Sequence, residues 1–103
     1  MVENKLFPDW KGIVIYAEDS LKPQALVVDG DQKAVIAGLQ AGKSVPPHKE
    51  GLAVFHFLEG TGNVSIDDQS FDVQTGATIV IPKGAVRGIE AVTRLAFLAV
   101  RLS

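Results

Sequence analysis

The stretch GATIVIPKGAVRGIE, residues Gly76 to Glu90, holds two short β-rich runs separated by a proline and a glycine. Thr, Ile and Val suit a pleated, half-buried surface, and Pro82 followed by Gly84 ends one strand and turns the chain into the next. The same pattern extends outward. Upstream lie IVIYA (13–17), QALVVD (24–29), KAVIAGL (33–39), LAVFHFL (52–58), NVSID (63–67) and SFDVQ (70–74), and downstream lies TRLAFLAVRL (93–102). The breaks between them, Asp29-Gly30-Asp31, Ala41-Gly42-Lys43, Gly60-Thr61-Gly62, Asp67-Asp68, Thr75-Gly76 and Lys83-Gly84, are rich in residues that tolerate positive φ or bond their own backbone. Helical periodicity is nearly absent, so the chain is predicted to be all-β. About nine strands in 103 residues would leave long exposed edges in one flat sheet, which favours closure into a two-sheet sandwich or barrel.

Composition narrows the function classes. A chain of 103 residues fits one domain with one core, 47% of it apolar, and shows no repeat or linker. The longest apolar run, Leu95 to Val100, is far short of the roughly 20 residues that span a bilayer. The opening MVENKLFPDWKG lacks the basic start and apolar stretch of a secretory signal, so a cytoplasmic location is expected, with no membrane partner. The absence of cysteine removes disulfides, thiolate nucleophiles and Cys-based zinc sites. Ten basic residues against twelve acidic ones give a net charge of −2, and the basic residues are scattered, which argues against nucleic acid.

Two strands, 52–58 and 95–100, are apolar on both alternating faces. A small barrel covers only the inner face, so a second copy of the chain is expected on the outer one, giving a homodimer. The N-terminal segment 1–20, with Phe7 and Trp10, is expected to pack on the barrel or on the dimer partner.

The segment GKSVPPHKEGLAVFHFLEGTG (42–62) together with GATIVIPKGAVRGIE (76–90) resembles the paired motifs of the cupin superfamily. Gly42 is followed after five residues by His48, and FLEGTG (57–62) matches the glycine corner that closes the first motif. Gly76, Pro82 and Gly84 fall at the spacing of the second. The resemblance implies a single-domain, cupin-type double-stranded β-helix, a jelly-roll barrel whose motif-bearing core spans 38–102. In that family, two histidines and a glutamate of the first motif and a histidine of the second hold a divalent metal. Residue by residue, His48 fits the first histidine, Glu50 stands at the second, Ala53 at the glutamate and Arg87 at the last histidine.

That set is poor for a metal. Arg87 has no lone pair to donate and would repel a cation, and His48 with Glu50 supplies two donors where a catalytic ion needs at least three. The expectation is a barrel without a tightly held metal or other cofactor, binding a small anionic molecule through His48, Glu50 and Arg87, with Phe55 and Phe57 as aromatic walls if they face inward. Arg87 has two readings at this stage: a guanidinium that grips a ligand carboxylate or phosphate by two parallel hydrogen bonds, or an ion pair with Glu50 that replaces the metal as a crosslink. The alternative function is a metal-dependent cupin enzyme, of dioxygenase or isomerase type, using His48, Glu50 and His56. Strand alternation places His56 opposite Ala53, Phe55 and Phe57, so that set needs a one-residue bulge near Gly51 to bring His56 inward. A third possibility is a barrel that serves only to dimerise. Whether the chain is an enzyme stays open at this level.

Overall fold

The computed structural model describes residues 2–103. A short 3-10 turn (Trp10–Gly12) leads into ten strands: β1 Tyr16–Ala17, β2 Gln24–Asp29, β3 Gln32–Leu39, β4 Ser44–Lys49, β5 Ala53–Glu59, β6 Thr61–Ile66, β7 Gln69–Gln74, β8 Thr78–Ile81, β9 Val86–Ala91 and β10 Leu95–Arg101. They form two facing sheets. The larger runs β1-β3-β10-β5-β8 with β2 also paired to β3, and the smaller runs β4-β9-β6-β7. Every pairing is antiparallel except β1 with β3. The chain is all-β with two facing sheets, as its turn and strand pattern predicts, and a double-stranded β-helix, as the family resemblance implies. Among the described residues, no helix is long and apolar enough to cross a membrane.

The core lies between the sheets, where inward positions alternate along each strand. Leu39, Phe57, Val64, Ile81 and Leu95 are completely buried, and Phe97 nearly so. Phe97 packs against Phe57 and Phe55 with ring centroids 5.6 and 5.4 Å apart. Gly60 makes the corner at which the chain passes from β5 in the large sheet to β6 in the small one, at φ +92°, where a Cβ would also overlap the Arg94 carbonyl. Only glycine fits that corner.

One strand is absent from the sequence pattern. SVPPHK (44–49) contains two consecutive prolines, a poor strand signal, yet it forms β4. It does so because it is the edge of the small sheet, where a missing N–H is tolerated. The register slips there: Val45 faces Ile89 and His48 faces Arg87, so β4 carries one residue more than β9 across Pro46 and Pro47.

The outer face of the large sheet is partly covered by the chain's own beginning. Val14 and Tyr16 lie against Gly38 of β3, and Glu3, Lys5 and Phe7 line a shallow groove with Val27, Val28, Ala34, Leu98 and Val100. Leu98 and Val100 of β10 are half-buried where they line that groove, as are Val54, His56 and Leu58 of the neighbouring β5, and Val80 of β8 is 62% exposed.

Candidate functional site

One end of the sandwich opens into a cavity of about 110 Å³, walled mainly by Val35, Ala37, Val45, Ala53, Phe55 and Phe97, with Lys33, His48, Glu50, Arg87 and Arg101 as its charged or ionisable members. The strand registers assemble this rim. In the large sheet Arg101 of β10 stands beside Lys33 of β3 on one side and Ala53 of β5 on the other, and in the small sheet His48 stands beside Arg87. Inward parity along β10 runs Leu95, Phe97, Ala99, Arg101, so an apolar strand face ends in a guanidinium at the mouth. Lys33 ends the matching series Leu39, Ala37, Val35 on β3. Sequence reasoning missed both, although the alternation that selects Phe97 and Val35 also selects them.

Arg87 is 2% exposed, an unusual place for a charge. Its Nη2 donates to the carbonyl oxygens of Gly51 at 2.7 Å and of Glu50 and Pro82 at 3.1 Å each. The side chain thereby ties the β4–β5 connection to the β8–β9 corner. Both expected roles are corrected by this geometry. Arg87 forms no ion pair with the Glu50 carboxylate, and one of its two amino groups is committed to backbone, so the guanidinium is not a free fork for a ligand. Nε is buried and has no hydrogen-bond partner among the described residues. Burial pushes the pKa of this guanidinium down, against the opposing pull of Glu50; arginine nonetheless stays charged.

The Glu50 carboxylate turns instead to His48 and Arg101, with Oε2 2.9 Å from His48 Nε2 and Oε1 3.7 Å from Arg101 Nη1. His48 Nδ1 lies 3.0 Å from the Pro46 carbonyl. Both ring nitrogens therefore face acceptors, an arrangement that only the imidazolium satisfies in full. The Pro46 carbonyl first and Glu50 second hold the His48 pKa above the ordinary imidazole value. Burial alone would raise the Glu50 carboxyl, but the hydrogen bond and charge of His48, with Arg101 and Lys33 near, hold it below the ordinary carboxylate value.

Of the remaining expected site residues, Phe55 forms part of the cavity wall. Phe57 does not: it is fully buried in the core behind Phe97, one inward position too deep to reach the cavity. His56 is on the outer face of the large sheet, where its Nδ1 is 2.6 Å from Thr78 Oγ1. The slip in β5 pairing falls past Phe57, between the Phe57–Phe97 and Glu59–Ala96 pairs, so no bulge at Gly51 turns His56 inward. The three-donor set His48, Glu50 and His56 is thus not brought together. Among the described residues no group of three or more His, Cys, Asp or Glu side chains is placed to hold a metal. A divalent ion of the kind expected from the resemblance does not fit these residues: His48 and Glu50 are bonded to each other, Ala53 offers no donor, and the fourth position holds a buried cation.

The cupin-domain family matches residues 35–101, and the chain belongs to it. No curated protein matches the chain. Among solved structures it is similar to a conserved protein of unknown function from Streptococcus pyogenes, with 26% identity over 99% of this chain and 90% of that one and a TM-score of 0.85. A cupin superfamily protein from Desulfitobacterium hafniense is 19% identical over 99% of this chain and 94% of its own, with a TM-score of 0.82. A salicylate 1,2-dioxygenase from Pseudoaminobacter salicylatoxidans shares the fold over 69% of this chain but only 21% of its own length, at 21% identity and a TM-score of 0.65.

Proposed function

We propose that this cupin binds a small organic anion, an apolar body bearing one carboxylate, in the cavity between its sheets. The observation that carries the reading is the imbalance at the mouth: Lys33, Arg87 and Arg101 border a largely apolar cavity whose lining contains a single acidic residue, Glu50. An apolar wall takes up the body of a ligand and a few placed charges fix its orientation. A volume of about 110 Å³ has room for about four waters at roughly 30 Å³ each, and so for a small apolar body whose carboxylate stays at the open mouth. Arg101 replaces Arg87 as the main anchor in this reading, because its Nη1 is held only loosely, 3.7 Å from Glu50. His48 and Arg87 stay as neighbours of the bound anion and Phe55 as its apolar wall.

The test is thermal denaturation and calorimetric titration with benzoate and hexanoate against benzamide and hexylamine. A ligand that binds only the folded state raises its stability with concentration. Stabilisation by the carboxylates alone, lost in Arg101→Leu, supports the reading. Equal effects of benzoate and benzamide, or none, overturn it.

We also propose that two copies associate through the outer face of the large sheet. Along β5 and β8 the outward positions Val54, His56, Leu58, Thr78 and Val80 include no acidic residue, lysine or arginine; Glu59, which shares the outward face with the buried Ala96 at the far end, is held by Tyr16 and Arg94. A second copy laid on the same surface would meet no like charge there, and apolar side chains such as Val80 would be removed from water.

A further inference from the structure

We propose that Glu50 is a displaceable internal carboxylate: in the free protein it occupies the position that the carboxylate of the bound anion takes, and it swings out when the ligand enters. The inference rests on the anion-binding reading above and adds the event by which the site opens.

Three observations lead to it. Glu50 is the acidic residue of a lining otherwise supplied with cations, and it makes the contacts that an incoming carboxylate would make, to His48 Nε2 at 2.9 Å and toward Arg101 Nη1 at 3.7 Å. Its backbone is fixed while its side chain is not: the Glu50 carbonyl accepts from Arg87 Nη2 at 3.1 Å and from the Gly84 amide at 2.9 Å, whereas the side chain is 41% exposed at the mouth. The partners that would receive the ligand are themselves anchored independently of Glu50. His48 is held through Nδ1 on the Pro46 carbonyl, and Arg101 through Nε on the Ser103 carbonyl at 3.2 Å.

Rotation of Glu50 into solvent therefore frees one donor edge on His48 and one on Arg101 without moving either strand. Pairs as exposed as these are weak, so the internal carboxylate is a modest competitor that lowers ligand affinity by about five-fold or less. A ligand that adds burial of an apolar body to the same charge contacts outcompetes it, while a small inorganic anion without such a body does not. The site thus selects for carboxylates that carry apolar mass.

The experiment titrates benzoate into the wild-type chain and into Glu50→Gln, Glu50→Ala and Glu50→Asp, with benzamide as control. Displacement predicts that all three variants bind benzoate about three- to five-fold more tightly, Asp included, because its shorter arm keeps the charge yet cannot reach His48 and Arg101 together. Tightening in Gln and Ala with Asp at the wild-type value would mean simple charge repulsion and overturns displacement. So does unchanged or weaker binding in all three, in which case Glu50 is a fixed member of the site and the anion-binding reading survives if wild type binds. Absence of benzoate binding in every form overturns both readings together.

Discussion

Arg87 Nη2 lies 2.7 Å from the carbonyl oxygen of Gly51, a residue 36 positions earlier in the chain and next to the carboxylate that this arginine leaves alone. A cation stands where the family holds a metal, and it serves a similar mechanical purpose by drawing the two motif loops together. Removing it leaves the carbonyls of Glu50, Gly51 and Pro82 without that donor and opens a void. Arg87→Ala is expected to cost about 3 kcal/mol of stability in urea unfolding, and Arg87→Lys about half of that, since one ammonium cannot replace a planar fork. A loss below about 1 kcal/mol with benzoate binding abolished would reassign Arg87 to the ligand.

The pair His48 and Glu50 makes stability depend on pH over a window set by both groups. His48 has its pKa raised above 6.5, so its contribution is full below that value and fades as pH rises through the higher folded value. Glu50 is lowered below 4.5, so its contribution is present above 4.5 and fades as pH falls through the lower folded value. Together they act most strongly between about 4.5 and 6.5. Proton NMR of the two histidines, with His56→Gln to assign them, should show His48 titrating above the ordinary imidazole value and shifting down in Glu50→Gln. A His48 resonance indifferent to Glu50→Gln would show that the contact does not persist in solution.

At the other end of the sandwich Tyr16 donates its hydroxyl to Glu59 Oε2, and Arg94 lies over its ring at 4.2 Å while bonding Glu59 Oε1 at 3.4 Å. Burial, followed by the hydrogen bond and charge of Glu59, pushes the phenol up to about 12 from its ordinary value of 10. Because the folded value is the higher one, the stability it confers is complete below pH 10 and is lost as pH rises through about 12. This is the chain's single tyrosine, so ultraviolet phenolate absorbance reads it without overlap. Titration at 10 in the folded chain would mean that the latch is open in solution.

Val80 is the most exposed apolar residue on the proposed association face, and Val80→Asp places a carboxylate opposite its own copy or close to it. Sedimentation should show a dimer for the wild-type chain and a monomer for the variant, with the monomer still folded by circular dichroism. A monomeric wild-type chain would leave the outer face without its proposed partner.

The strands were legible wherever their residues alternate between sharp turn signals, as in 76–90, where glycine and proline mark corners by their own backbone limits. β4 was not legible, because Pro46 and Pro47 forbid a central strand and only the finished sheet shows that this strand is an edge. The site divides in the same way. His48, Glu50 and Arg87 follow from motif spacing and Phe55 from strand alternation, and Ala53 marks where a donor is missing. The partners of Arg87 did not follow, because backbone carbonyls carry no signature in side-chain identity. Alternation puts Lys33 and Arg101 on the inward face, but a basic residue at a strand end usually belongs to solvent, and only the register sets both beside one another at the cavity mouth. Phe57 failed as a wall residue because parity says which face a side chain takes but not how deep along the barrel it lies.

The two prolines of β4 have an effect on how copies of this molecule can meet. A free sheet edge invites another strand to dock by backbone hydrogen bonds, the first step toward fibres. Along β4 two neighbouring positions have no amide hydrogen to offer, and the extra residue bends what would otherwise be a flat seam. The small sheet is thus protected on that side against open-ended growth by strand addition.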